Sequence, residues 1–209
     1  MSSSPSAAVH VQLLSADPKL TEWLCEDIGC QLEDEKQVAS FSGRKLSFEV
    51  GAKDGTHPGS SSFDVVVGIV RFVDVVSLQQ ISDLLEKATE GFTVPTQMLI
   101  YRNDNEVDFK MSCPYCGQKL WVRDADQDKR GRCPHCGKGF TLPAEDEHVR
   151  SVLRLNASIP MHRVIRQDPG SLAAPLRSIL DLVSPENKLK NLDSDSYYKN
   201  ATMKVKVEE

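Results

Sequence analysis

The sequence lacks the features that mark several classes of protein. No stretch approaches the roughly 18 consecutive apolar residues of a membrane-spanning helix. The first eight residues are rich in Ser and Ala and have no basic run, so we expect no secretory signal. Acidic residues outnumber basic ones by 30 to 25, and the net charge of -5 argues against a strongly basic nucleic-acid-binding chain. These absences predict a cytoplasmic protein that does not enter a membrane.

Common catalytic motifs are also missing. The chain has no Gly-x-Gly-x-x-Gly, no glycine-lysine phosphate loop and no Gly-x-Ser-x-Gly. Its five His residues are scattered. His148 follows Glu145 and Glu147 on a predicted helix, and we interpret this group as a solvated face. We therefore expect a protein that is not an enzyme.

The six cysteines among 209 residues are too few for a secreted disulfide scaffold. Four of them form two Cys-x-x-Cys pairs, with 16 residues between the inner cysteines. In a chain without a leader, such pairs indicate a metal site in a reducing compartment. Cys25 and Cys30 stand apart from these pairs. We interpret them as small apolar side chains rather than as a redox pair.

The paired cysteines suit zinc, which prefers four soft ligands in a tetrahedron. A gap of two residues lets both thiolates of a turn face one ion, and the Gly after each pair lets the turn fold back. Two disulfides or four free thiols are the alternatives. Because four cysteines fill the coordination shell, we expect one structural Zn²⁺ rather than a catalytic one. The predicted ligands are Cys113, Cys116, Cys133 and Cys136.

Residues 113–143 contain Cys-Pro-Tyr-Cys-Gly, followed by Gly-Arg-Cys-Pro-His-Cys-Gly-Lys-Gly-Phe. This segment resembles the short bacterial zinc-ribbon family. The resemblance covers about 31 residues. It implies a structural zinc held by the four cysteines and says little about partners.

The same segment has a modest charge. Six basic residues stand against three acidic ones, and zinc with four thiolates lowers the total to about +1. Its aromatic residues Tyr115, Trp121 and Phe140 could stack on bases or fill the ribbon's core. Nucleic-acid binding usually needs more charge, so we favour a protein partner. The candidate partner-binding residues are Trp121, Arg123, Lys129, Arg130 and Arg132.

Outside this segment, strands alternate with helices. Predicted strands cover 9–14, 37–41, 45–50, 63–72, 96–101 and 161–165, and predicted helices begin near Asp17, Ser77, Ala144 and Ser171. The pattern predicts an α/β fold with a doubly wound parallel sheet. The expected domains are an α/β domain of 9–102 and 144–183, an inserted zinc ribbon of 103–143, a loop at 51–62 and a flexible tail of 184–209.

The order of these elements resembles a response-regulator receiver domain. Three local features carry this resemblance. They are a helix that begins at Asp17-Pro18, a buried strand that starts Phe63-Asp64, and Asp168-Pro169 before the last helix. The resemblance implies a flavodoxin-like sheet with strand order 2-1-3-4-5. Residues 37–50 predict a β-hairpin where the family has its second helix.

The chemistry of receivers is missing from the matching positions. Ser15 and Ala16 stand where the family holds Mg²⁺ with an acidic pair, and Ile69 stands where it is phosphorylated. The family's switch hydroxyl and its Lys correspond to Tyr101 and Ile165. The resemblance therefore implies a pseudo-receiver without bound Mg²⁺.

Together these features predict a non-catalytic module for protein–protein interaction in bacterial signalling or regulation. Its partner could be another protein or a second copy of the chain in a homodimer. The alternative is a nucleic-acid-associated regulator that binds through the zinc ribbon.

Overall fold

The computed structural model describes residues 8–34, 36–50, 63–71, 75–89, 94–103, 108–155 and 157–184. The predicted loop at 51–62 and nearly all of the predicted tail at 184–209 lie outside these residues. The described chain forms a mostly parallel sheet of seven strands with four helices, which confirms the α/β class. Two further sheets have two antiparallel strands each. No helix within the described ranges is long and apolar enough to cross a bilayer.

The elements are numbered in chain order. The strands are β1 (Val9–Ser15), β2 (Gln31–Glu33), β3 (Lys36–Phe41), β4 (Arg44–Val50), β5 (Val65–Val70), β6 (Thr96–Arg102), β7 (Asp108–Ser112), β8 (Lys119–Arg123), β9 (Arg130–Arg132), β10 (Gly139–Thr141) and β11 (Met161–Ile165). The helices are α1 (Pro18–Ile28), α2 (Val75–Thr89), α3 (Glu145–Leu153) and α4 (Pro169–Leu182).

The large sheet has the order β11-β6-β5-β1-β4-β3-β2. The first five strands of this order are parallel, whereas β3 is antiparallel to β4 and β2 to β3. Every residue of β5 and β6 is buried. Burial on both faces explains why β5 reads as an unbroken apolar run rather than as an alternation.

The predicted hairpin is confirmed as β3 and β4, joined by Ser42 and Gly43 in the left-handed region at φ 49° and 74°. The pairing extends further than the sequence indicates, because β2 adds a short edge strand. All three residues of β2 are exposed, and Leu32 is 71% exposed. A strand that buries nothing leaves no hydrophobic period in the sequence.

The first helix begins and ends as predicted. The Asp17 carboxylate accepts a hydrogen bond from the Lys19 N–H at 3.0 Å, and Pro18 occupies the first turn. At the other end, Gly29 has φ 75° and its N–H reaches the Glu26 carbonyl at 3.0 Å. The chain leaves the helix at Cys30, directly before β2.

The last helix repeats the Asp-Pro start. The Asp168 carboxylate accepts from the Gly170 N–H at 3.0 Å, so α4 begins at Pro169 rather than at 171. The earlier start leaves Pro175 inside the helix, where it is buried. Its carbonyl accepts from the buried Gln97 side chain of β6 at 3.4 Å.

The sheet is covered on both faces. One hydrophobic cluster joins α1 and α4 to the strands, and a second joins α2 and α3 to them. The second cluster also contains Phe109, Met111 and Val122 from β7 and β8. The hairpin β7–β8 therefore belongs to the core of the α/β domain. We call residues 108–143, which contain β7 to β10, the cysteine segment.

A buried ion pair fixes the cysteine segment to the sheet. Arg102 at the end of β6 donates to the carboxylate of Glu145, the first residue of α3. Their side chains are only 5% and 1% exposed. Arg163 of β11 bridges Glu145 at 3.1 Å and Asp124, in the turn after β8, at 2.8 Å. Two strands, one helix and the cysteine segment thus share one network.

The amide of Gln127 completes this network. Its NH₂ donates to the Asp124 carboxylate at 2.7 Å, and its carbonyl accepts from the Glu145 N–H at 3.2 Å. The second bond satisfies a backbone donor at the start of α3, which has no capping side chain of its own.

The prediction that Glu145 and His148 lie on a solvated face is wrong. Glu145 is buried, as the network requires. His148 is half-buried against Phe109, with 5.8 Å between ring centroids, and burial lowers the pKa of its imidazole.

Replacing Glu145→Ala should lower the free energy of unfolding by about 3–5 kcal/mol, because it removes the carboxylate that is hydrogen-bonded to the buried Arg102 guanidinium and leaves the more distant Asp124, at 3.7 Å, as an ion-pair partner. Urea denaturation measures the change. The control is Glu147→Ala, since Glu147 is exposed on the same helix and should change stability by less than about 0.5 kcal/mol. Equal losses in the two variants would contradict a structural role for the ion pair.

Candidate metal centre

The two cysteine pairs lie in turns with the same backbone hydrogen bonds. The Cys113 N–H donates to the Gln118 carbonyl at 2.8 Å, and the Gly117 N–H donates to the Cys113 carbonyl at 2.9 Å. The corresponding bonds around Cys133 measure 3.0 and 2.9 Å. Gly117 and Gly137 have φ of 71° and 72°, a conformation that few residues with a Cβ adopt.

These turns bring the four thiols together. The Sγ atoms of Cys113 and Cys136 are 3.8 Å apart, those of Cys116 and Cys133 are 3.7 Å apart, and all four lie within 4.8 Å of one another. A regular tetrahedron with metal–sulfur bonds of about 2.3 Å has sulfurs about 3.8 Å apart. A disulfide would need about 2.05 Å. The four cysteines are therefore free and positioned to bind one metal ion.

The electrostatics of the site shift the pKa values of Cys133 and Cys116 in opposite directions. Hydrogen bonding to the backbone N–H of Cys136, aided by that of His135, lowers the pKa of Cys133 to about 6 against the effect of burial. The Gln118 N–H lowers the pKa of Cys116, but burial and the neighbouring sulfurs outweigh it and raise this pKa to about 12. A bound cation is what would hold all four groups as thiolates.

The hairpin β7–β8 has one buried and one open face. Phe109, Met111 and Val122 point into the second hydrophobic cluster. Because side chains alternate across a strand, the intervening residues point away from it. These are Lys110, Lys119, Trp121 and Arg123.

The hairpin β9–β10 is arranged in the same way. Phe140 and Leu142 pack against the second hydrophobic cluster, and Leu142 lies against Gly131. Arg130 and Arg132 alternate to the opposite side and are exposed. They line a groove of about 460 Å³ together with Gly131, Gly137 and Gly139.

The structure exposes all five residues proposed as a partner surface. Trp121 is 62% exposed and so does not fill a core of the cysteine segment. Arg123 forms an ion pair with Asp126 at 2.7 Å.

Sequence reasoning missed Lys110, whose ammonium lies 4.4 Å from the centre of the Trp121 ring. The two residues are cross-strand neighbours, so only the pairing of β7 with β8 reveals the contact. Lys138 lies over Tyr115 in the same way, at 4.9 Å, and Tyr115 is 54% exposed.

The positions that the sequence resemblance to receivers singles out make structural contacts. Ser15 Oγ accepts from the Asp17 N–H at 3.2 Å, and Ile69 is buried. The Tyr101 hydroxyl donates to the Asp27 carboxylate, and burial together with this bond raises its pKa.

A cluster of rings and cations adjoins Tyr101. The Trp23 ring stacks on it with 6.5 Å between centroids. The guanidinium groups of Arg166 and Arg71 lie 4.0 and 5.3 Å from the centre of the Trp23 ring. Arg71 and Arg166 directly follow β5 and β11, the two strands that flank β6, so these contacts lie at the carboxyl ends of parallel strands.

Cys25 and Cys30 lie at the closure of α1, where the Cys30 N–H donates to the Cys25 carbonyl at 2.9 Å. Cys25 is buried and Cys30 is half-buried, and both are free thiols. Their side chains are hydrogen-bonded, which together with burial raises the pKa of Cys30.

No protein-family model matches this chain, and no curated protein does. The function is therefore argued from geometry and chemistry.

The purified protein should carry one metal ion per chain, and Cys116→Ser should lose it on dialysis because the shell then has three thiolates. Hydrogen exchange should show lost protection around β9 and β10, while β1 and β5 stay protected by the sheet. Elemental analysis gives the metal content.

The matched control is Cys30→Ser, which lies outside the metal centre and should retain the metal. The four-cysteine site would be wrong if Cys116→Ser kept a full equivalent, or if the intact mass showed two disulfides.

Proposed function

We propose that the metal is a single structural Zn²⁺ held by Cys113, Cys116, Cys133 and Cys136. An all-thiolate set with tetrahedral spacing suits zinc better than the hard cations that prefer oxygen ligands. Four protein ligands leave no position for a substrate or an activated water. The ion would stabilise the cysteine segment, which has few apolar residues of its own.

We further infer a receiver-like domain with a flavodoxin-like sheet, into which a zinc ribbon of 103–143 is inserted between 9–102 and 144–183. The parallel strands support this inference, because β4, β1, β5, β6 and β11 lie in the order 2-1-3-4-5 when counted along the chain. The β3–β4 hairpin departs from a receiver, whose strands are all parallel.

The domain is proposed to be non-catalytic. Ligands of doubly wound sheets bind at the carboxyl ends of the strands, and a nucleotide-binding domain would place its phosphate loop between β1 and α1. Here the Asp17 carboxylate accepts a hydrogen bond from the Lys19 N–H at that helix terminus. A phosphate would meet a negative charge rather than free N–H groups, and the adjacent residues Ser15 and Ala16 supply no second carboxylate for Mg²⁺.

The proposed function is protein–protein interaction in bacterial signalling or regulation, in the cytoplasm. The observation that carries it is Trp121, which is 62% exposed on a hairpin whose other face is locked into the core. An exposed aromatic side chain on a rigid support loses little entropy on binding, and Trp and Arg are common anchors of interfaces. A homodimer through the same residues is one form of this interaction.

Nucleic-acid binding through the ribbon is the second candidate. The groove beside Arg130 and Arg132 favours it, since guanidinium groups bind phosphates, and the exposed rings of Tyr115 and Trp121 could stack on bases.

Acetyl phosphate with Mg²⁺ should leave the mass of the protein unchanged and the fluorescence of Trp23 unquenched, because the phosphoacceptor position is the buried Ile69. Intact-mass spectrometry checks this, with a working receiver treated in parallel as the positive control. A stable gain of one phosphoryl group on any Asp would contradict the non-catalytic proposal.

Trp121→Ala should weaken capture of the physiological partner about tenfold, equivalent to about 1.4 kcal/mol. Cross-linking in the native cell followed by mass spectrometry measures capture. The matched control is Leu32→Ala, another exposed apolar side chain that lies on β2. Equal capture by wild type and Trp121→Ala would contradict the proposed surface, and salt-sensitive retention on DNA would favour the second candidate.

A further inference from the structure

We propose that the outer face of the cysteine segment binds an extended acidic segment of a partner protein. This inference rests on the proposed function and names the chemistry of the partner. We define the outer face by six basic and aromatic side chains that alternate away from the second hydrophobic cluster on the two hairpins. They are Lys110, Lys119, Trp121, Arg123, Arg130 and Arg132.

The outer face is more positive than the composition of the segment suggests. Asp124 is one of the three acidic residues counted in 113–143, but its carboxylate accepts hydrogen bonds from Gln127 and from Arg163 of β11. Asp126 pairs with Arg123 at 2.7 Å, so these two charges cancel each other, whereas Asp128 is exposed and remains in the count. Lys110, which the sequence count of the ribbon omits, adds a further cation.

The arginines of β9 are available to a partner. Both are exposed, and neither forms an ion pair with any residue that the structure describes. Gly131, Gly137 and Gly139 provide no side chains to fill the groove beside them, so a peptide backbone can approach.

The spacing of these arginines suits an extended peptide. Arg130 and Arg132 are two residues apart on one strand, so their Cα atoms are separated by about 6.6 Å. Acidic side chains at alternate positions of an extended chain have the same separation and point to the same side. Each guanidinium can therefore take one carboxylate through paired hydrogen bonds.

The aromatic residues favour an acidic peptide over a nucleic acid. Trp121 and Tyr115 each have a Lys ammonium over the ring, at 4.4 and 4.9 Å. A carboxylate can bind such an ammonium directly, whereas a base must displace it to stack on that face.

The test uses the full metal-loaded chain and fluorescently labelled twelve-residue peptides at low salt. One peptide carries Glu at alternate positions, and the second has the same composition with its Glu residues in one block. Anisotropy should show that the alternating peptide binds at least about threefold more tightly than the blocked one. Arg130→Ala combined with Arg132→Ala should weaken its binding about tenfold without loss of metal, and Trp121→Ala should weaken it as well.

The charge-matched control is Lys19→Ala combined with Arg177→Ala, two exposed cations on α1 and α4, which should leave binding unchanged. The proposal is overturned if this control weakens binding as much as the arginine variant does. Equal binding of both peptides overturns it too, because it shows non-specific attraction. Tighter binding of a twelve-nucleotide oligothymidylate assigns the face to nucleic acid instead.

Failure of this proposal is distinguishable from failure of the proposed function. If neither peptide binds but cross-linking in the cell still depends on Trp121, the protein-interaction function stands and its partner is not acidic.

Discussion

The pairing of Arg102 with Glu145 is the constraint on which the arrangement of the other parts depends. Two charges that are 5% and 1% exposed are costly to bury, and they are tolerated only where each finds a partner in a fixed place. Arg102 ends a central strand, and Glu145 begins the helix that follows the cysteine segment. The Glu145 carboxylate can reach the Arg102 guanidinium only if the chain between them leaves the sheet at the end of β6 and returns to the same place. Asp124 and Gln127 tie the turn after β8 to that same point.

The cysteine segment is thereby held in three ways. The network fixes the turn after β8, the second hydrophobic cluster takes Phe109 and Val122, and the four thiols close the two turns around one site. Alternation along the strands then determines the outer face, since each buried side chain is followed by one that points away. The exposure of Trp121 is thus a consequence of the burial of Val122 beside it. A small two-stranded sheet could not present such a side chain rigidly without this support.

Local chemistry could be read from the sequence, whereas contacts between distant residues could not. Asp17-Pro18, Gly29 and the Cys-x-x-Cys-Gly turns each specify their own backbone, so the ends of α1 and the metal ligands are predictable. The partner of Glu145 lies 43 residues away, and nothing near it in the chain distinguishes it from the solvated Glu147. Lys110 was missed because β7 has to be paired with β8 before its contact with Trp121 exists. The strand β2 was missed because it buries nothing.

The carboxyl ends of the parallel strands explain why the cysteine segment is the better candidate for binding. In a doubly wound sheet these ends usually form the ligand site, and they need unpaired polar groups to do so. Here Asp17 caps α1, Asp27 accepts from Tyr101, and the Trp23 ring contacts the guanidinium groups of Arg71 and Arg166. These contacts commit the named polar and aromatic groups to the fold. Arg130 and Arg132 of the outer face are exposed and form no ion pair with any described residue, and this contrast supports placing recognition on the cysteine segment.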